Sequence, residues 1–363
     1  MKNVENLTPR RQDARTPGAQ LAARPITHPV AWVFWVAAVL VALTTTRNPF
    51  YLALVLAMIG WVLVVRGRRD LASQPAAPEI SVVRFGLIVV VTSALFNMLM
   101  VHVGDHVLFT LPEAIPLFGG PLTLEALVYG ALNGLVLAGL FAAFTVLNRV
   151  LPVRAVLRLV PRAYYPAAVV MSIAVTFAPT ALQQVQQIRE AQAVRGHRVR
   201  GVRSWLPLIV PLLEGSMERS MQLAEAMMAR GFASAEAQPD KRPQLLMLVG
   251  LVALVTGWLM RLVWQQPLVG SGLLLAGALA LGSALVLAGR QHPHTVYRPD
   301  AWHKSDLAVV AGAVLTAMIY LLPWPGLDRS SLFYYPYPAL TWPAFNPIIG
   351  VATLGLALPV FVR

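Results

Sequence analysis

The chain has 363 residues, 57% hydrophobic and only 12% charged, with a net charge of +13. That balance excludes an ordinary soluble domain and points to an integral membrane protein. The basic residues fall on alternate sides of the apolar stretches instead of coating one polar face, which argues against nucleic acid as a partner. The absence of cysteine excludes disulfides, thiolate chemistry and cysteine metal sites.

Residues 1–28 read as a cytoplasmic tail: Arg10, Arg11, Arg15 and Arg24 precede the first apolar run, and no small-residue cleavage site follows. Residues 29–150 hold four apolar stretches, Val30–Thr46, Tyr51–Val65, Val82–Val103 and Leu124–Leu147. Residues 244–363 hold four more, Leu245–Val263, Leu268–Ala288, Leu307–Leu322 and Ala344–Val362. The predicted fold is therefore all-α, a polytopic transmembrane helix bundle of about eight spans. Arg66, Arg68 and Arg69, the many arginines from Arg149 to Arg242, and Arg290, Arg298 and Lys304 mark one side, whereas Gly104–Leu122 has no lysine or arginine. By the positive-inside rule both termini and the central segment are expected in the cytoplasm of a multi-pass cell-membrane protein.

Near the outer end of the third stretch, His102 and His106 lie at helical spacing with Asp105 between them. Two imidazoles and a carboxylate are conceivable metal ligands for an intramembrane enzyme or ion transporter, the alternative reading; polar residues ending a span are the commoner use of such a set. Asn97 and Asn133 suit interhelical hydrogen bonds. The aromatic, proline-rich loop Pro323–Pro343 suits an interfacial belt. The lysines are Lys2, Lys241 and Lys304, and none follows a glycine, so no P-loop for ATP is present and no cofactor is expected.

Residues 151–243 differ from the rest. Ala167–Ala181 is apolar, but a crossing there would export the arginines that follow, and Leu206–Leu213 is too short to return and contains Pro207 and Pro211. The segment is thus expected in or just under the cytoplasmic interface, as long amphipathic helices. Leu182, Val185, Ile188 and Ala191 recur at helical spacing, as do Met217, Met221, Ala224 and Met228. Each helix ends in one pattern, Glu190-Ala-Gln-Ala-Val194-Arg195-Gly196 and Glu225-Ala-Met-Met-Ala229-Arg230-Gly231. Glycine fits the left-handed C′ position, and arginine complements the negative end of the helix dipole. Matching tips suit two equivalent partners.

These motifs, with Leu206-Pro207-Leu208-Ile209-Val210-Pro211-Leu212-Leu213, Leu223 to Phe232, and more weakly His28-Pro29, Asn48-Pro49 and Leu122-Thr123-Leu124-Glu125, resemble the transmembrane T component of energy-coupling factor (ECF) transporters. These are ABC importers of vitamins and transition-metal ions. The resemblance implies a noncatalytic scaffold whose two coupling helices dock their arginines, here Arg195 and Arg230 with Val194, Gly196, Ala229 and Gly231, into two ABC ATPase subunits. A separate substrate-binding membrane S component would choose the cargo. Val194 stands where the family has alanine, and the spans after Pro243 exceed the usual number.

Overall fold

The computed structural model describes residues 28–70, 81–112, 119–151, 153–196, 205–232, 241–290, 302–322, 324 and 327–361. The basic tail lies outside them. The chain divides into two units, residues 1–151 with 300–363, and residues 152–299.

In the first unit, α1 (Pro29–Thr45), α2 (Pro49–Asp70), α3 (Val82–Met100) and α4 (Leu124–Val150) are joined by α10 (Lys304–Leu321), α11 (Pro347–Thr353) and α12 (Leu358–Phe361). The core is built from Trp32, Trp35, Tyr51, Leu52, Ile59, Tyr320, Ile349 and Leu356, all essentially without solvent contact. The start of α1 follows from its first residues: the His28 side chain accepts from the backbone N–H of Val30, and Pro29 presets the first turn. Asp306, wholly buried, accepts from the backbone N–H groups of His28 at 2.9 Å and His303 at 3.0 Å, so one carboxylate serves the N-terminal ends of both α1 and α10. Asn48 opens α2 by accepting from the Phe50 N–H at 2.9 Å. Its amide donates to the carbonyls of Ser331 and Ala344, each at 2.7 Å. Further along, the Trp35 indole donates to Leu356 O at 2.8 Å, and the buried Arg66 guanidinium donates to Pro359 O at 2.6 Å while lying over Trp32. The C-terminal helices are thereby part of the same core as the first two.

The second unit contains α5 (Val153–Leu157), a 3-10 turn at Arg162–Tyr164, α6 (Tyr165–Val194), α7 (Leu206–Ala229), α8 (Lys241–Leu262) and α9 (Pro267–Arg290). The α8–α9 hairpin closes on glycines. A methyl group on Gly257 would come within 2.9 Å of Gly270 O, and one on Gly277 within 2.9 Å of Gly250 O. Backbone approaches backbone there, as small residues permit between membrane helices. Gly257→Val should force the hairpin apart and cost about 1–3 kcal/mol. Thermal unfolding read by tryptophan fluorescence checks this, with Gly272→Val as the comparison, because nothing lies within 4 Å of a methyl group there.

Seven helices among the described residues are long and apolar enough to cross a bilayer. Six of them, α2, α3, α4, α8, α9 and α10, coincide with predicted stretches. The first stretch forms the 17-residue α1. The last breaks into α11, a 3-10 turn at Leu354–Ala357 and α12, where Gly355 packs against α10 and Pro359 has no N–H to give. The seventh is the run Arg162–Val194, none of whose apolar window is buried within the protein. A helix of that length spans more than the Ala167–Ala181 stretch assigned by sequence to the interface. Nor do the prolines interrupt α7: Pro207 sits in its first turn, and the helix continues through Pro211 to Ala229.

An all-α reading misses one element. Val107–Leu111 (β1) pairs antiparallel with Gly120–Thr123 (β2) immediately before α4.

Candidate coupling surface

α6 and α7 end alike. Ala193 and Val194 finish α6, Arg195 is its C-cap at φ −77°, and Gly196 turns into the left-handed region at φ +78°. Ala229 finishes α7, Arg230 is its C-cap at φ −88°, and Gly231 follows at φ +75°. In α7 the Gly231 N–H donates to Met228 O at 2.9 Å and the Phe232 N–H to Met227 O at 3.1 Å, the paired bonds of a Schellman cap. In α6 the Gly196 N–H donates to Ala193 O at 2.9 Å, the inner bond of the same cap. The left-handed glycines are as the sequence requires, because a side chain with a Cβ is disfavoured at that φ.

The cap throws each arginine outward. Arg195 and Arg230 are exposed, as are Val194, Gly196, Ala229 and Gly231. Val194 is 88% exposed, so its extra methyl groups relative to alanine stand on the surface beside the guanidinium. Each tip therefore offers a fork of N–H donors on a rigid helix end, the geometry that suits carboxylates and backbone carbonyls in a partner groove.

The faces behind the tips are unevenly covered. Leu208 is buried in α7, and Leu212, Gly215, Arg219, Leu223 and Met227 follow it on the partly covered side, whereas Met217, Met221, Ala224 and Met228 are exposed. On α6, Val185 and Ile188 are half-buried, but Leu182 and Ala191 face outward. The methionine row expected at helical spacing is thus an open apolar surface on α7. Methionine suits such a surface because its unbranched thioether adapts to different shapes.

The histidines do not assemble as spaced. α3 ends at Met100, with extended backbone at Val101 and a left-handed Gly104 at φ +146°, so His102, Asp105 and His106 lie on a loop and not on one helical face. Among the described residues no three histidine or carboxylate side chains come together as metal ligands. His106 is bound instead by Glu125, a residue that sequence reading registered only within a motif. The buried Glu125 carboxylate lies 2.6 Å from His106 Nδ1 and accepts the His106 backbone N–H at 3.1 Å. Thr123 caps α4 by accepting from the Ala126 N–H and donates its own hydroxyl to Val103 O at 2.9 Å. The Asp105 N–H donates to Pro338 O at 3.0 Å. A threonine two residues ahead of a carboxylate at a helix start was the available signal, since both favour the positive end of a helix. Asn97 makes the interhelical bond expected of it, donating to Ala126 O at 2.6 Å.

Residues 26–240 match the CbiQ family, described as cobalt transport protein. The chain belongs to this family of cobalt transport proteins. Both arginine-glycine tips fall inside the matched region, and α8 through α12 fall beyond it. Over 82 residues the chain is 38% identical to the energy-coupling factor transporter transmembrane protein EcfT of Heliobacterium modesticaldum, covering 21% of this chain and 31% of that protein. It is 37% identical over 81 residues to EcfT of Bacillus selenitireducens, covering 21% and 30%. With EcfT of Bacillus subtilis the identity is 34% over 84 residues, covering 21% and 31%. The aligned stretch thus spans under a third of each of these relatives.

Proposed function

We propose that the chain is the membrane scaffold of an ECF-type ABC importer, carrying no catalytic chemistry of its own. It would couple ATP-driven closure of two ABC ATPase subunits to movement of a separate substrate-binding S component for vitamin or metal-ion uptake. The observation that carries this reading is the pair of outward-facing Arg195 and Arg230 tips, each followed by a left-handed glycine, within the region matched to the family. Two equal helix ends call for two equal grooves, which a pair of homologous ATPases provides. Closure of the pair would push α6 and α7, and the exposed methionine row of α7 is the surface on which that push would reach the S component. Coexpression tests it: both ATPases should copurify with the chain, and their absence from the purified complex would refute the reading.

This reading also requires the tips, and both termini, to lie on the cytoplasmic side. Since the chain contains no cysteine, Gln222→Cys on the exposed side of α7 gives a unique label site. In intact cells it should react with a membrane-permeant maleimide and stay unmodified by an impermeant one. Modification by the impermeant reagent would reverse the assigned orientation.

A further inference from the structure

Where α6 crosses α7, a cavity of about 330 Å3 opens between Thr176, Phe177, Thr180, Gln183, Gln184, Gln187 and Arg219. Its chemistry is out of place in helices this apolar. Among the described residues Arg219 has no carboxylate partner, and its guanidinium rests 6.0 Å from the centre of the Phe177 ring. The Gln184 side chain lies over Gly215, where any Cβ would collide with its amide nitrogen, so glycine makes the room for it. The other end of that amide, Oε1, is buried with no hydrogen-bond partner. The threonine hydroxyl protons are already spent: Thr176 donates to Ser172 O and Ile173 O, and Thr180 to Phe177 O. Their remaining lone pairs, like Gln184 Oε1, can only accept.

The cavity therefore offers a cation with no carboxylate partner among the described residues, acceptors in Gln184 Oε1 and the threonine oxygens, and the amides of Gln183 and Gln187. A ligand that matches it brings a negative charge for Arg219 and O–H donors for the acceptors. The level of the cavity narrows the source. α6 is apolar up to Leu182 and glutamine-rich from Gln183, and α7 carries no charged residue up to Leu213 but has Glu214, Glu218, Arg219 and Glu225 beyond it. Gln184 and Gly215, which meet at the crossing, stand at that boundary on both helices. An apolar-to-polar boundary on membrane helices is where lipid headgroups lie. We propose that this cavity binds the headgroup of an anionic glycerophospholipid bearing free hydroxyls, such as a phosphoglycerol headgroup, with Arg219 on the phosphate and Gln184 Oε1 and the threonine oxygens accepting from the hydroxyls. The proposal goes beyond the coupling function and stands whether or not the tips engage ATPases.

Native mass spectrometry of the full chain in detergent, with lipids added singly, tests it. Phosphatidylglycerol should be retained about tenfold better than phosphatidylcholine, which has no headgroup hydroxyl and no net charge, and better than phosphatidic acid, which has the charge without the headgroup glycerol and its hydroxyls. Arg219→Gln should reduce phosphatidylglycerol retention to the phosphatidylcholine level, and Gln184→Glu, which sets a carboxylate of the same shape against the phosphate, should do likewise. Arg84→Gln, an exposed arginine on α3, should leave retention unchanged. Free glycerol 3-phosphate at the same concentration should neither bind nor compete. Equal retention of phosphatidylglycerol and phosphatidylcholine by the unaltered chain would overturn the proposal without recourse to any variant. Undiminished retention in a folded Arg219→Gln chain, or equal binding of free glycerol 3-phosphate, would overturn it as well. Phosphatidic acid held as tightly as phosphatidylglycerol would refute the hydroxyl recognition.

Discussion

Replacing Arg195 and Arg230 together by alanine should nearly abolish recovery of the ATPases with the chain while leaving its amount in the membrane unchanged. Each guanidinium, once seated in a groove, is a charge-assisted anchor of the kind whose truncation costs about 2 kcal/mol or more. Either single change should therefore weaken association about thirtyfold. Because two anchors on one scaffold hold the partners at high local concentration, losing one also removes that benefit from the other, and the double change, with neither anchor left, should nearly abolish association. Folding should survive, since both side chains are exposed and the caps are made by backbone groups of Gly196 and of Gly231 and Phe232. Lysine at either site should restore little, keeping the charge but not the planar fork. Copurification at matched membrane abundance, followed by uptake, is the measurement. Normal recovery and normal uptake by the double variant would eliminate the coupling mechanism.

Glu125→Ala should be the most destabilising single change at the α3–α4 end of the molecule, at about 2–4 kcal/mol. The carboxylate is fully buried and accepts from both the backbone and the ring of His106, so its loss leaves two donors without their acceptor and opens a void beside Gly104, where any Cβ would collide with the carboxylate. The loop holding His106 is what delivers β1 to β2, so the hairpin should loosen with it. Glu125→Gln keeps the shape and one acceptor and should cost less than half as much. Thermal unfolding by tryptophan fluorescence, with amide exchange over residues 107–111, resolves the two. An alanine variant as stable and as protected as the parent would show that the His106–Glu125 contact contributes nothing.

Much of this molecule was legible because its signals are local. The left-handed glycines at 196 and 231 follow from residue type and position alone, and six of the long helices from run length. What stayed hidden depends on partners distant in sequence. Glu125 looks like any acidic residue in a first turn until the loop carrying His106 folds onto it. The hairpin stays hidden because Gly104–Leu122 is legible only as a cation-free connection, and the five-residue Val107–Leu111 shows itself as a strand only by pairing with Gly120–Thr123. The facing of α7 is legible only in part. Periodicity finds an apolar stripe but cannot say whether that stripe is covered, and here the covered side is the one carrying Gly215 and Arg219 while the methionines stand open. Prolines misled in the opposite direction: Pro211 lies close enough to the helix start that the carbonyl it leaves unpaired is near an end, where few bonds are lost.

The bonds from Asn48, Trp35 and Arg66 to carbonyls near the C-terminal end also impose an order on biosynthesis. A ribosome delivers α1 and α2 first, and their amide, indole and guanidinium donors find their acceptors only after Ser331, Ala344, Leu356 and Pro359 have been made, some three hundred residues later. Until then a cation and two polar groups must be tolerated in nascent helices, held near water or by an insertase. The matched part of the chain thus emerges before its buried donors have partners, and helices beyond residue 240 complete its core.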